Sequence, residues 1–83
     1  MKEPKKLNIR YYAVLRDKTG KSEEDLESFA CTPLELYKDL AEEYGLPVDT
    51  ASIRVSINEE FQSMNTALCS GDCVIFIPPV SGG

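Results

Sequence analysis

The chain has no histidine and no tryptophan. Without histidine it lacks the side chain whose ordinary pKa lies nearest neutrality, and with it the usual general base and the commonest metal ligand. Cysteine is scarce: Cys31, Cys69 and Cys73 are the full set. An odd number in a chain with no secretion signal argues against a disulfide framework. Cys69 and Cys73 flank Ser70-Gly71-Asp72, but two thiolates without a third and fourth ligand make a poor zinc site, and a plant-type iron–sulfur cluster needs four cysteines. All three therefore read as small buried apolar filler. No apolar run approaches the roughly 20 residues of a membrane helix. The opening MKEPKKLNIR lacks the apolar stretch of a signal peptide. A glycine-rich phosphate loop, internal repeats and low-complexity segments are also missing. These absences lead to the expectation of a cytoplasmic protein that binds no metal and no cofactor of its own.

The 83 residues make one domain. A chain of this size buries roughly 60–65% of its unfolded surface, enough for one modest core and little room for an enclosed active site. The net charge of −5 is unevenly spread. Residues 1–21 hold seven of the nine basic residues and two acids, Glu3 and Asp17; the remainder holds twelve acids against Lys38 and Arg54. An acidic body is repelled by nucleic-acid phosphates and favours a partner with a basic surface.

Residues 1–6 read as a disordered polar leader. Leu7 to Leu15 alternates as a strand, with Leu7, Ile9, Tyr11 and Ala13 on one face and Asn8, Arg10 and Tyr12 on the other. A turn around Gly20 and a weaker strand in DLESFA complete a hairpin. Thr32-Pro33-Leu34-Glu35 carries a helix start: a threonine cap, a proline at the first helical position and a glutamate able to close a capping box. Leu36, Tyr37, Leu40, Ala41 and Tyr44 recur at helical spacing, and Gly45 followed by Pro47 stops the helix near Tyr44. SIRVSIN is a strand with Ile53, Val55 and Ile57 on one face. NEEF turns the chain toward a possible short edge strand, and Cys73–Ile77 is the last strand. The order predicts an α+β domain of ubiquitin-like β-grasp type over residues 7–79: a mixed sheet of four to five strands packed on one main helix, with the first and last strands parallel at its centre. Residues 80–83 would form a flexible tail.

That tail follows FIPPVSGG. Pro78 and Pro79 cannot donate to a sheet and hold the backbone extended. The four residues after them reach at most about 14 Å. Gly82 and Gly83 have no Cβ, so the terminal carboxylate can enter a narrow channel. A carboxylate reacts only once its oxygen becomes a leaving group, and attack on the α-phosphate of ATP achieves this. Nothing in the chain suits ATP, so such activation would happen on a partner.

FIPPVSGG closely resembles the C-terminus of the MoaD family, the small subunits of molybdopterin synthase, which belong to the ubiquitin-like sulfur carriers. The resemblance extends from Leu7 to Gly83 through YYAVLRD, the capped helix, VSINEEF and GDCVIFIPPVSGG; MKEPKK falls outside it. It implies that an E1-like adenylyltransferase activates the Gly83 carboxylate with ATP. A persulfide then converts it to a thiocarboxylate, and the tail enters the large synthase subunit to give sulfur to cyclic pyranopterin monophosphate. Gly83 would carry the sulfur, Gly82 would give clearance, and no side chain would be catalytic. Carriers of the thiamine or cysteine pathways, and a ubiquitin-like protein modifier, share the Gly-Gly end and remain alternatives.

Tyr12, Phe61 and Ile77 are expected to form an apolar patch beside the tail. With Pro78, Pro79, Val80 and Ser81 they would make the partner-binding set. Closure of the core by Tyr12 and Phe61 is the competing reading. Arg16 reads as a solvated turn residue.

Overall fold

The computed structural model describes residues 3–46 and 52–78. Along the chain run β1 (Lys5–Tyr11), α1 (Val14–Thr19), β2 (Glu23–Ser28), α2 (Pro33–Tyr44), β3 (Arg54–Ile57), β4 (Glu60–Gln62) and β5 (Cys73–Ile77). The strands form one sheet in the order β2-β1-β5-β3-β4. β1 and β5 are parallel, and every other pairing is antiparallel. The expected α+β ubiquitin-like β-grasp is therefore present, with five strands and one main helix. No helix among the described residues is long and apolar enough to cross a membrane.

Helix α2 forms where its boundary signals stand. Thr32 Oγ1 accepts the Glu35 N–H at 3.3 Å, Pro33 fills the first turn, and Gly45 (φ 70°) closes the end with its N–H on the Ala41 carbonyl at 2.8 Å. Glu35 reaches back as expected, but its carboxylate takes the Cys31 amide at 3.3 Å, one residue before the cap. Leu36, Tyr37, Leu40 and Ala41 are buried against the inner face of the sheet, where Leu7, Ile9, Tyr11, Val55, Val74 and Phe76 alternate inward. The rings of Tyr37 and Phe76 meet edge to face, 5.3 Å between centroids.

Three expectations need correction. The first strand stops at Tyr11, not Leu15. Ala13 takes a left-handed φ of 52° and starts the short helix α1, which ends at Gly20. Leu15 is fully buried, but it reaches the core from a helical turn, and Ala13 is exposed. Lys5 and Lys6, expected in a leader over residues 1–6, belong to β1, and Met1 and Lys2 lie outside the described residues. Lys5 and Lys6 are opposite Ser28 and Glu27, the Lys6 N–H donates to Ser70 Oγ at 3.0 Å, and its carbonyl accepts from Gly71. The backbone finds partners on both sides there, so pairing continues past the last apolar residue. Finally, the cysteines are not buried filler. Cys31 and Cys69 are exposed and Cys73 is half-buried; all three are free thiols. Cys31 stands just before the helix cap, Cys69 opens the turn that Asp72 closes through the Cys69 amide at 2.8 Å, and Cys73 points from the outer face of β5 toward Asn8.

One polar clasp joins three elements. The Glu24 carboxylate on β2 accepts hydrogen bonds from Tyr11 Oη on β1 at 2.5 Å, Tyr44 Oη on α2 at 2.9 Å and Lys21 Nζ at 3.2 Å. Lys21 Nζ also donates to Tyr44 Oη and stands 5.3 Å from the centre of that ring. Burial pushes the Glu24 carboxyl up, but the three donors outweigh it and hold the group below its ordinary value. Burial and the neighbouring Glu24 push the Tyr11 phenol far up. A carboxyl depressed in the folded state stabilises fully above its unfolded pKa, and that contribution is lost as pH falls through the folded one.

The β3–β4 turn carries strain. Ile57 pairs with Glu60, leaving a two-residue loop in which Asn58 (φ 52°) and Glu59 (φ 73°) are both left-handed. That is a type I′ requirement, in which asparagine is favoured and glutamate is not.

Glu24→Gln should lower the unfolding free energy by about 1–3 kcal/mol at neutral pH, and urea melts should show its gap from the parent protein narrowing in acid. A gap independent of pH would mean that the carboxylate charge is not what the clasp uses. Glu59→Gly should raise stability by about 0.5–1 kcal/mol, read as a shift in urea midpoint with unchanged slope; a loss would contradict the turn geometry.

Candidate functional site

The outer face of the sheet, away from α2, is built by register. Ile75 on β5 has Arg10 beside it on β1 and Ser56 on β3, and Ser56 has Phe61 beside it on β4. Ile77 lies opposite Arg54. Tyr11 pairs with Phe76, so the chain leaves β1 with Tyr12 at the level of Ile77. Alternation along β5 sends Val74 and Phe76 inward and leaves Cys73, Ile75 and Ile77 half-buried on the outer face.

Tyr12 is 48% and Phe61 72% exposed. Neither closes the core, so the competing reading of these two residues is set aside. Strand spacing separates them: Phe61 is one strand beyond β3, and roughly 10 Å of sheet lies between its position and that of Ile75. The patch is thus a diagonal band, Tyr12–Ile77–Ile75–Phe61, with Ser56 filling the gap. Ile75 was not among the residues chosen from the sequence. The alternation of Cys73–Ile77 carried the signal; the pairing partners did not show in the sequence.

The band is framed by arginine. Arg10 and Arg54 lie on the outer face, and Arg16 joins Arg10 and Tyr12 around an open hollow of about 300 Å³. These are the chain's three arginines. Arg10 Nε approaches Glu23 at 3.7 Å on the surface, an arrangement that contributes little to stability. Among the described residues Arg16 and Arg54 have no ion pair. An acidic protein therefore presents guanidinium groups around a band that holds the exposed Tyr12 and Phe61.

Pro78 follows β5 and is buried, so it ends the pairing and offers little contact surface. Pro79, Val80, Ser81, Gly82 and Gly83 lie outside the described residues. What is fixed is where they begin: at the end of the central strand, beside Ile77 and the band.

Comparison with known proteins gives the chain its family. The ThiS family pattern matches residues 9–83, through to the final glycine. The molybdopterin synthase sulfur carrier subunit of Haemophilus influenzae is 29% identical over 80 residues, covering 93% of this chain and 99% of the relative. The solution structure of the Haloferax volcanii HVO 2177 protein superposes with a TM-score of 0.82 at 27% identity, covering 100% of this chain and 91% of that one. A chain in the complex of subunits 1 and 2 of the molybdopterin-converting factor from Helicobacter pylori matches at a TM-score of 0.60 and 26% identity, over 94% of this chain and 99% of that one. The resemblance carried by FIPPVSGG thus holds across the domain, and the chain belongs to the ThiS family, the ubiquitin-like sulfur carriers of the ThiS and MoaD type.

Proposed function

We propose that this chain is the sulfur-carrying subunit of a molybdopterin synthase. The observation that carries the reading is the family match running to Gly83, together with a similar protein of that function aligned over nearly its whole length. In this reading an E1-like enzyme transfers AMP from ATP to the Gly83 carboxylate, releasing pyrophosphate. A persulfide sulfur then displaces AMP, and reductive release from the donor leaves a thiocarboxylate. Its sulfur passes to cyclic pyranopterin monophosphate within a large partner subunit, and water returns the carrier to its carboxylate. The chain supplies the slim end; acid–base groups and phosphate ligands belong to the partners.

The apolar band beside the tail is the docking surface in this reading. Phe61 and Tyr12 are exposed enough to be covered by a partner, and a half-buried band of Ile75 and Ile77 connects them. Arg10, Arg16 and Arg54 would meet acidic groups on the same partner, which favours fast, salt-sensitive encounter. Acidic charge elsewhere does not oppose this, because the band has its own local sign.

Intact mass of the protein from its native cell, under non-reducing and amine-free conditions, should show a fraction with one oxygen exchanged for sulfur, localised by fragmentation to Gly83. A free carboxylate throughout, even after ATP, a sulfur donor and native lysate, would overturn the carrier reading; conjugates to lysines of other proteins would replace it with a modifier. Phe61→Asp should leave the thermal melt nearly unchanged and weaken association with the large subunit by about tenfold or more. Unchanged association would remove Phe61 from the interface.

A further inference from the structure

A second surface lies on the other side of the molecule. β2 is an outer strand of the sheet, and among the described residues nothing pairs with its far side. The Tyr11 N–H donates to the Ser22 carbonyl at 2.9 Å. By antiparallel alternation Glu24, Leu26 and Ser28 then occupy the hydrogen-bonded pairs with β1, and the N–H and C=O groups of Glu23, Asp25 and Glu27 point to the open edge. Beside this edge a groove of about 450 Å³ runs between β2 and α2. Leu26, Leu36 and Leu40 form its floor, where the side of the core shows through. Phe29, 60% exposed, stands at its end and also walls a neighbouring hollow with Ala30 and Lys38. Glu27, Asp39 and Glu43 edge the groove, and among the described residues none of the three has an ion pair.

We propose that the β2–α2 groove takes an extended basic segment of a partner protein, added as a further strand on the open edge of β2. Unpaired backbone groups along an edge strand are a template for such addition. Alternate side chains of the incoming strand would turn toward the leucine floor and Phe29, and the others toward carboxylates. A second copy of this chain is the wrong occupant, because β2 reads Glu23-Glu24-Asp25-Leu26-Glu27-Ser28 and pairing it with itself sets carboxylates against carboxylates. The same charges that block self-pairing attract lysine and arginine. The apolar band and its arginines lie on the face of the sheet away from α2 and from the open edge of β2, so both surfaces can be occupied at once. The proposal stands or falls independently of the sulfur-carrier reading.

The test is an amide chemical-shift titration of the full chain with a short blocked peptide alternating lysine with valine and isoleucine. A matching peptide with glutamate in place of lysine is the control. The expected result is saturable binding of the lysine peptide alone, with shifts concentrated at Glu23–Phe29 and at Leu36–Glu43. Binding should weaken as salt rises toward physiological strength. A double variant, Glu27→Lys with Asp39→Lys, changes two exposed side chains, so it should melt like the parent and bind at least about tenfold more weakly. Absence of saturable binding, shifts centred on Arg10, Ile75 and Phe61, or equal affinity in the double variant would each overturn the proposal. So would shifts at β2 that change on dilution without peptide, which would seat a second copy there.

Discussion

The structure depends on the backbone ladder around β5. This strand is hydrogen-bonded on both sides, parallel to β1 and antiparallel to β3. Two parallel strands cannot be joined by a tight turn, so everything between them must be placed by their pairing. The helix α2 crosses the inner face, and β3 and β4 return along the far side. Val74 and Phe76 on β5 are fully buried, and Phe76 meets Tyr37 of the helix. That contact is one of several by which the helix is seated on the strand that precedes the chain end. The five residues that matter most to the proposed chemistry are therefore tied at their root to the best-buried part of the molecule.

Charge is sorted by surface in a way composition conceals. The net charge of −5 suggests an acidic protein seeking basic partners. The fold divides this. Glu23, Asp25 and Glu27 of β2 share the outer face with Arg10, Asn8 and Lys6 of β1, and Asp39 and Glu43 of α2 edge the groove on the other side, while the three arginines lie around the apolar band. Interactions between exposed charges are screened beyond about 10 Å at ordinary salt, so each stretch of surface acts with its own local sign. The β2 edge and its groove are acidic, and the arginines beside the apolar band are the local exception.

Local signals were legible and non-local pairings were not. Helix α2 runs between the cap and the stop its sequence announces, because Thr32, Pro33 and Gly45 act on their own backbone. β5 was found for a similar reason: five apolar residues bounded by a turn and a proline. The helix α1 was missed because Leu15 fits both a continued strand and a helical turn that buries the same side chain, and nothing in the sequence marks the left-handed Ala13. The cysteines were misplaced because their buried preference is an average; position before a cap, in a turn and on an outer strand face decided their exposure. Tyr12 and Ile77 were chosen for the patch from strand parity, and Phe61 from its place at a turn. Their actual relation, a diagonal with Ile75 and Ser56 between, depends on the register of four strands, which no single segment encodes.

The β3–β4 hairpin bears on the proposed docking surface. β4 is three residues long, pairs on one side, and is reached through a turn with a glutamate in the left-handed region. Its large apolar residue, Phe61, points away from the core and is 72% exposed. Burying such a side chain fully contributes about 1.5–3 kcal/mol, most of which the isolated domain forgoes. The burial in this hairpin comes from Val55 and Ile57 on β3, and β4 itself adds little to set against the strain of its turn. A partner covering Phe61 would recover the burial that this side chain forgoes, and β3 is the strand that links β4 to β5 and so to the chain end.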